Sequence, residues 1–320
     1  MIVQLVLLLA GLGLIVFGAD WLVDGASAIA RKVGISEFVI GLTIVGFGTS
    51  CPELVVSLTG AIAGNADVSI GNVVGSNIFN TLLILGLTAL VLPIGITTDN
   101  KRRDIPLTLL VTFLLIALGM GKVLAGVSDV DGISRVEGAV FLVLFAAYMY
   151  MCFKFDKGAE DNGEDAKAIS SIWLAILLVA AGLCGLIFGG RLFVNSATAV
   201  ARMLGVSDKF IAITVLAGGT SLPELATCVV AAAKKKGQLA LGNILGSNVF
   251  NILLILGCSA VVSPISFAAM DLIDMLVLFG SAVLVWMSSY TFKKDRIDRC
   301  EGAIFVLCFI GYYVYLVSQL

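Results

Sequence analysis

The sequence contains two copies of one apolar pattern, and each copy carries an acidic residue. The segment GTSCPEL around Glu53 returns as GTSLPEL around Glu224, and GNVVGSNIFNTLLILG from Gly71 returns as GNILGSNVFNILLILG from Gly242. Matching positions in these segments are all 171 residues apart, so the copies align without a gap. A carboxylate in an apolar helix is costly unless a partner or cation compensates it. The chain is therefore expected to fold as two similar halves that each contribute one carboxylate to a site.

The composition places these halves in a membrane. Hydrophobic residues make up 59% of the chain and charged residues 13%, with a mean hydropathy of +1.08, whereas soluble proteins carry about 25% charged residues. Apolar runs of roughly 17 to 25 residues can cross a hydrocarbon core about 30 Å thick. We predict an all-α integral membrane protein with ten transmembrane helices near 2–19, 37–60, 70–92, 105–122, 137–153, 170–190, 209–232, 240–262, 272–290 and 301–318.

Lysine and arginine collect on one side of the predicted spans. If the N-terminus is outside, fifteen of the twenty basic residues fall in loops on the inner side, which the positive-inside rule assigns to the cytoplasm. This predicts a multi-pass protein of the plasma membrane with both termini outside. The first span lacks the charged start and cleavage site of a signal peptide. We expect it to be a structural helix that runs on through Ala26 to Ala30.

Several kinds of chemistry are excluded by residue types. The chain has no histidine, which is the commonest transition-metal ligand and the commonest general base. Its seven cysteines show no paired spacing, so we interpret them as reduced packing residues. No motif indicates a cofactor or nucleic-acid binding. The chain is therefore not expected to be an enzyme.

Two repeats of five spans each account for the chain, at 1–153 and 170–320. The charged segment 154–169 is predicted to be a solvated cytoplasmic linker, because its acidic residues lack the spacing of a calcium-binding loop. Since each repeat has an odd number of crossings, the second is inverted in the membrane. Inverted repeats with discontinuous helices are the design of many secondary transporters, with the site at mid-membrane.

Breaks in the helices are predicted next to both acidic residues. Pro52 cannot donate a backbone hydrogen bond, and glycines weaken the helix before it. We therefore expect the carbonyl groups near Gly46 to be free to face a ligand. The same reasoning applies to the carbonyl groups from Ala217 to Gly219, ahead of Pro223.

Oxygen-bearing side chains share helix faces with the two glutamates. Residues four apart lie on one face, which pairs Thr49 with Glu53 and Ser76 with Asn80. The second half repeats the pattern with Thr220, Glu224, Ser247 and Asn251, while Ser50 and Ser221 add hydroxyls and Asn72, Asn77, Asn243 and Asn248 add amides. Hard cations such as Ca²⁺ and Na⁺ prefer such oxygen ligands, whereas zinc and copper prefer nitrogen or sulfur.

The charge of the site indicates that cations are exchanged across the membrane instead of passing in one direction without a counter-ion. Two buried carboxylates can neutralise one Ca²⁺, or be largely neutralised by several monovalent cations. An empty site with two negative charges has a large barrier to exposure on the other side of the membrane. Protons compete for the same carboxylates, which predicts inhibition at low pH.

At these residues the sequence resembles the sodium/calcium exchanger family of the cation/calcium antiporter superfamily, in its compact prokaryotic form. The GTSxPE and GNxxGSNxFN segments look like the two alpha repeats of that family. The resemblance implies ten helices, an outward N-terminus and alternating access by sliding of spans 1 and 6 against a stationary core. It also implies that Na⁺ entry drives Ca²⁺ export, with excess positive charge moving alongside Na⁺.

The resemblance also implies a ligand set. The family's side-chain ligands fall on Thr49, Ser50, Glu53, Ser76, Asn80, Thr220, Ser221, Glu224, Ser247 and Asn251, with the carbonyl groups of Gly46 and Ala217 completing the shell. The two glutamates would be shared between Ca²⁺ and Na⁺ subsites. Some relatives, including the potassium-dependent branch, carry Asp at one position where this chain has Asn80 or Asn251, which argues for potassium independence. Proton-coupled relatives carry GNxxE in place of TSxPE, so the chain resembles a sodium-coupled member.

Three alternatives remain open at this point. An antiporter of the same build could be coupled to protons or handle another cation. An intramembrane enzyme could use the two glutamates as an acid/base pair, and a passive channel could use them to attract cations. The sequence leaves the oligomeric state open, with a monomer sufficient to hold the site.

Overall fold

The computed structural model describes most of the chain. The described residues are 1–121, 131–156, 158, 169, 171–205, 217–268, 270–291 and 295–319. Most of the predicted linker 154–169, the first part of the predicted span 209–232 and the last residue of the predicted span 105–122 lie outside them.

Helices dominate the described residues. In chain order they are α1 Ile2–Val33, α2 Glu37–Thr49, α3 Cys51–Ile62, α4 (Ala66–Ile78, Phe79–Ile84 and Leu85–Val91), α5 Ile105–Gly119, α6 Arg135–Lys154, α7 Ile172–Met203, α8 Ala217–Gly219, α9 Leu222–Ala233, α10 (Gly237–Val249, Phe250–Leu256 and Gly257–Val262), α11 Leu272–Ser288 and α12 Arg299–Ser318. Wider π-helical turns occupy Gly41–Val45 in α2, Phe79–Ile84 in α4 and Phe250–Leu256 in α10. Such turns are frequent at functional sites.

Six described helices are long and apolar enough to cross a membrane. They are Ile2–Val33, Val68–Val91, Arg135–Lys154, Ile172–Met203, Gly237–Val262 and Arg299–Ser318. The count becomes seven if α2 and α3, which meet at an angle of 47°, form one bent span. The helical fold is confirmed, while ten crossings and the inversion of the second half stay predictions.

Two short antiparallel strand pairs lie outside the helices. Strand β1, Ile94–Gly95, pairs with β4, Arg296–Ile297, and β2, Gly132–Ile133, pairs with β3, Ile265–Ser266. Extended loops pair in this way because backbone polar groups that leave a helix near the membrane need partners. Each pair joins one half of the chain to the other.

The long helices α1 and α7 pack against each other backbone to backbone. A Cβ atom added to Gly18 would lie 2.8 Å from the carbonyl oxygen of Gly182, and one added to Gly182 would lie 2.7 Å from that of Gly18. Small residues permit this close approach of helices in a membrane. The outer faces of α1 and α7 instead carry exposed apolar side chains such as Phe17 and Phe188, which suits contact with lipid.

Helices α4 and α10 form the centre of the molecule. In their most apolar stretches 72% and 83% of the residues are buried, against 22% in α1 and 28% in α7. Because α4 carries Ser76 and Asn80 and α10 carries Ser247 and Asn251, the repeated polar motif lies inside the protein and not at its lipid surface.

Candidate cation site between the two halves

Two helices begin at the repeated proline and place a glutamate in their first turn. Pro52 lacks the N–H that would bond to the carbonyl of Gly48, so α2 ends and α3 begins at an angle with Glu53 in its first turn. Helix α9 begins in the same way, with Pro223 and Glu224 in its first turn. The unpaired N–H groups and the dipole of a helix N-terminus stabilise a negative side chain there.

Free carbonyl groups are predicted near Gly46, and the carbonyl of Gly46 itself has two donors. The carbonyl oxygen of Gly46 accepts the backbone N–H of Ser50 at 3.1 Å and the hydroxyl of Thr49 at 3.4 Å. The missing N–H of Pro52 removes the donor for the carbonyl four residues earlier, which is that of Gly48. The Thr49 contact is longer than an ordinary hydrogen bond, so a cation can compete for that lone pair.

Both glutamates are buried, and each is bound by a serine from the opposite half. Glu53 and Glu224 are each 1% exposed. Ser221 Oγ donates to Glu53 Oε1 at 3.0 Å, and Ser50 Oγ donates to Glu224 Oε1 at 3.0 Å. The partners are 168 and 174 residues apart. These separations are three residues shorter and three residues longer than the repeat interval of 171 residues, which is what a two-fold relation between the halves requires. Ser76 Oγ lies 3.3 Å from the Ser221 hydroxyl, so these groups share one site.

Asparagines also form hydrogen bonds from each half to the other. Asn80 Nδ2 donates to Asn248 Oδ1 at 3.3 Å, and Asn251 Nδ2 donates to Asn77 Oδ1 at 2.8 Å. These partners are again 168 and 174 residues apart. Asn80 and Asn251 are each 1% exposed, so the amides of both halves meet in the protein interior.

Several oxygens of the site have no hydrogen-bond partner among the described residues. These buried atoms are Glu53 Oε2, Glu224 Oε2, Asn80 Oδ1, Asn251 Oδ1, Ser247 Oγ and Thr220 Oγ1. An unsatisfied buried polar atom costs about 1–3 kcal/mol, and a charged one costs more. In the part of the chain that the structure describes, neither glutamate forms an ion pair with a lysine or arginine. A cation bound among these oxygens would compensate both the charge and the missing partners.

Hydrogen bonds connect several of the predicted side-chain ligands, but not Thr220 or Ser247, whose hydroxyls have no partner among the described residues. Thr49 is fully buried, and besides Gly46 its hydroxyl contacts Asn243 Oδ1 at 3.2 Å. Ala217 begins the short helix α8, and its side chain lies outside the described part of the chain. The described residues include no cluster of three or more His, Cys, Asp or Glu side chains. Neutral oxygens must therefore supply most of any coordination shell.

Sequence reasoning missed Thr81 as a residue next to the site. Its hydroxyl accepts a hydrogen bond from Asn248 Nδ2 at 2.9 Å. The matching position in the second half is Ile252. A comparison of the repeats passes over Thr81 for that reason, and only its position directly after Asn80 pointed to it.

Acidic residues near span ends have local structural partners. Lys234 Nζ lies 2.6 Å from Asp20 Oδ1 and 2.7 Å from Asp24 Oδ1, which ties α1 to the end of α9. Glu301 is 2% exposed. It accepts hydrogen bonds from the Thr291 hydroxyl at 2.8 Å and from the backbone N–H of its N-cap residue at 2.6 Å. A buried glutamate with such partners differs from Glu53, whose second oxygen has no partner in the described part of the chain.

The fold and the site define a helical membrane protein with paired buried carboxylates between two similar halves. The sequence model of the family described as "Sodium/calcium exchanger protein" matches residues 3–154 and 174–318. The chain therefore belongs to the sodium/calcium exchanger family, which is a family of membrane antiporters and not of enzymes.

Individual relatives and a solved structure agree with this assignment. The inner membrane protein YrbG of Escherichia coli is 35% identical over 309 residues, which cover 90% of each chain. The sodium/calcium exchanger MaX1 of Methanosarcina acetivorans is 33% identical over 353 residues, with 98% of each chain covered. The solved structure of the sodium-calcium exchanger NCX_Mj, soaked with Na⁺ and Sr²⁺, matches with a TM-score of 0.84 at 33% identity over 98% of both chains. The resemblance drawn from the motifs is confirmed.

Proposed function

We propose that this protein exchanges Na⁺ for Ca²⁺ across the plasma membrane by alternating access to the buried site. The observation that carries the proposal is the pair of Glu53 and Glu224, which are buried together with an unpartnered oxygen each and no basic counter-ion among the described residues. Their two charges match one Ca²⁺, and the surrounding oxygens are of the kind that Ca²⁺ and Na⁺ prefer.

The proposed ligands are the twelve residues that the repeated motifs indicate. They are Gly46, Thr49, Ser50, Glu53, Ser76 and Asn80 in the first half, and Ala217, Thr220, Ser221, Glu224, Ser247 and Asn251 in the second. Gly46 and Ala217 would bind through backbone carbonyl groups. The two glutamates are shared between Ca²⁺ and Na⁺ subsites, so filling by one ion excludes the other. No resident cofactor is proposed.

The transport cycle follows from the charge of the site and the packing of the helices. Occupied by cations, the site is close to neutral and can be exposed on either side of the membrane, whereas the empty site carries an uncompensated double charge. The closely packed pair of α1 and α7 lies outside the buried core of α4 and α10, which supports a movement of the pair against that core. Net positive charge moves with Na⁺.

The proposed architecture is two inverted five-helix repeats, at 1–153 and 170–320, joined by the linker 154–169 in the cytoplasm. Ten crossings then place both termini outside. The crossed contacts between the halves, at separations of 168 and 174 residues, support a two-fold relation between them. The site is formed within a single chain, so a monomer is sufficient for transport.

Radioactive Ca²⁺ uptake by purified protein in liposomes tests this function. Liposomes loaded with Na⁺ and diluted into Na⁺-free buffer should accumulate Ca²⁺, and an inside-positive voltage should accelerate uptake because net positive charge leaves with Na⁺. Uptake driven by a proton gradient alone would instead support a proton-coupled antiporter of the same fold. Uptake that needs no counter-ion would indicate a channel.

A further inference from the structure

We propose that Asn77 and Asn248 are positioning residues, each of which orients the ligand amide of the opposite half. Asn77 orients Asn251, and Asn248 orients Asn80. The inference rests on the proposed function, because the orientation of an amide matters here only if its oxygen binds the transported cation. We refer to the two crossed pairs as the amide relay.

The first pair of the amide relay is oriented by a backbone carbonyl group. Asn77 Nδ2 donates to the backbone oxygen of Asn248 at 3.2 Å. A carbonyl oxygen can only accept, so the amide of Asn77 must turn its NH₂ group toward it and its Oδ1 atom away. That Oδ1 accepts from Asn251 Nδ2 at 2.8 Å. Asn251 is thereby fixed with its own Oδ1 on the other side, where that oxygen is buried without a donor among the described residues.

The second pair repeats the crossed contact with a different anchor, a hydroxyl, which can accept or donate. Asn248 Nδ2 donates to Thr81 Oγ1 at 2.9 Å, and Asn248 Oδ1 accepts from Asn80 Nδ2 at 3.3 Å. The Oδ1 atom of Asn80 is again buried without a donor. Because the counterpart of Thr81 is Ile252, a hydroxyl anchors one side of the relay and a backbone carbonyl anchors the other.

Orientation decides whether an asparagine attracts or repels a cation. The two ends of the amide are nearly equal in size, but one is an acceptor and the other carries two donor hydrogens. Asn77 and Asn248 are 1% and 5% exposed, and each uses its own Oδ1 to hold a ligand amide. They therefore act on the cation through the ligand amides. In other metal sites, residues that hydrogen-bond to a metal ligand orient that ligand, and their loss lowers metal affinity about 10- to 100-fold.

On the side away from the cation site, the amide relay lines a small cavity. Asn77, Asn248 and Thr81 line a cavity with room for about one water molecule, together with Thr108, Thr112 and Ser281 of α5 and α11. Those three hydroxyls donate to backbone carbonyl groups of their own helices, which leaves their lone pairs as acceptors. A water there can take up the amide hydrogens that the relay does not use.

Double variants test the crossed pairing through the Ca²⁺ concentration for half-maximal Na⁺-driven uptake (KM). Asn77→Ala and Asn248→Ala should each raise KM about 10-fold or more, with kcat changing little. In an Asn251→Ala background, Asn77→Ala should have no further effect on KM. In an Asn80→Ala background it should still raise KM, because the contact between Asn77 and Asn251 is present there. Asn248→Ala should show the mirror pattern.

A milder variant keeps the test decisive if the alanine variants do not fold. Thr81→Val removes only the anchor of Asn248 and should raise KM in the wild type and in Asn251→Ala, but not in Asn80→Ala. The matched control is Thr88→Val, since Thr88 is fully buried in the same helix and donates only to the Ile84 carbonyl. That control should keep the wild-type KM.

The outcomes separate the relay from the proposed function. If each asparagine couples to the ligand of its own half, or if Thr81→Val raises KM equally in both backgrounds, the amide relay is refuted while exchange stands. If wild-type protein shows no Na⁺-driven Ca²⁺ uptake, the proposed function is refuted and the relay with it.

Discussion

Replacing either buried glutamate by glutamine separates cation binding from folding. Glu53→Gln and Glu224→Gln keep the size of the side chain and one oxygen, but each removes one of the two negative charges of the site. The surroundings of the two residues mirror each other, with a serine hydroxyl at 3.0 Å from the opposite half in both cases. The two variants should therefore behave alike.

The expected loss follows from the burial of the charges. Removing one partner of a buried charge interaction costs about 3–5 kcal/mol. At about 1.4 kcal/mol for each factor of ten, Ca²⁺ affinity should fall between about 100-fold and a few thousand-fold. The stability of the cation-free protein should not fall, because the substitution removes one of two like charges that repel each other when no cation is bound. Its melting temperature should stay the same or rise.

Two measurements on the same samples check this prediction. Thermal unfolding in detergent with and without Ca²⁺ reports affinity and cation-free stability together, and Ca²⁺ uptake into Na⁺-loaded liposomes reports exchange. The matched control is Glu301→Gln, because Glu301 is equally buried but satisfied by local donors. That control should keep both Ca²⁺ stabilisation and exchange.

Two results would refute the reasoning. Wild-type exchange in Glu53→Gln or Glu224→Gln would mean that the ligands are assigned to the wrong residues. A marked drop in cation-free melting temperature in both variants, with none in Glu301→Gln, would mean that the glutamates hold the fold together instead of a cation.

Further predictions concern pH, ion pairs and the packing of α1. Uptake should fall from pH 8 to pH 5 because protons compete with cations for the two glutamates, and a flat pH profile would contradict this. Lys234→Met removes the partly exposed ion pairs with Asp20 and Asp24, worth about 0.2–1 kcal/mol each. Exchange rates should change by up to about thirtyfold at unchanged KM, and a changed KM would place Lys234 in the cation site. Gly18→Ala puts a Cβ atom 2.8 Å from the Gly182 carbonyl oxygen and should lower stability by about 1–3 kcal/mol. Gly13→Ala, with no described atom within 4 Å, should be neutral; equal melting temperatures would count against the close packing.

The sequence predicts one shared site because the same energetically costly residue, a glutamate in an apolar helix, occurs in both repeats. A carboxylate in an apolar helix demands compensation, and the equal spacing of Glu53 and Glu224 from their serines and asparagines placed all of them in one arrangement. The prediction that the first helix runs on through Ala26 to Ala30 is also confirmed, and Gly34 ends α1 with a φ of 76° and an N–H bond to the Ala30 carbonyl. Only glycine adopts that backbone conformation readily.

Other features depend on distances between segments that no repeat reveals. Equal spacing does not say that Ser50 bonds to Glu224 instead of Glu53, because that choice is set by how the halves face each other. Thr81 could not be found by comparing the repeats, because its counterpart in the second half is Ile252. The occupied carbonyl of Gly46 follows from the exact residue at which the helix breaks, and the two strand pairs depend on loops of both halves meeting in space.

The exchange of hydrogen-bond donors between the halves limits how each copy can diverge. Ser50 donates to Glu224 and Asn77 accepts from Asn251, and in both cases the partner is encoded 174 residues later, so a substitution in one copy affects a partner in the other. The duplicated segments thus cannot drift separately, and mutations accepted during evolution should come as matched pairs across the duplication. A gene cut in two at the linker would encode fragments that each lack the donors for their own acidic residue.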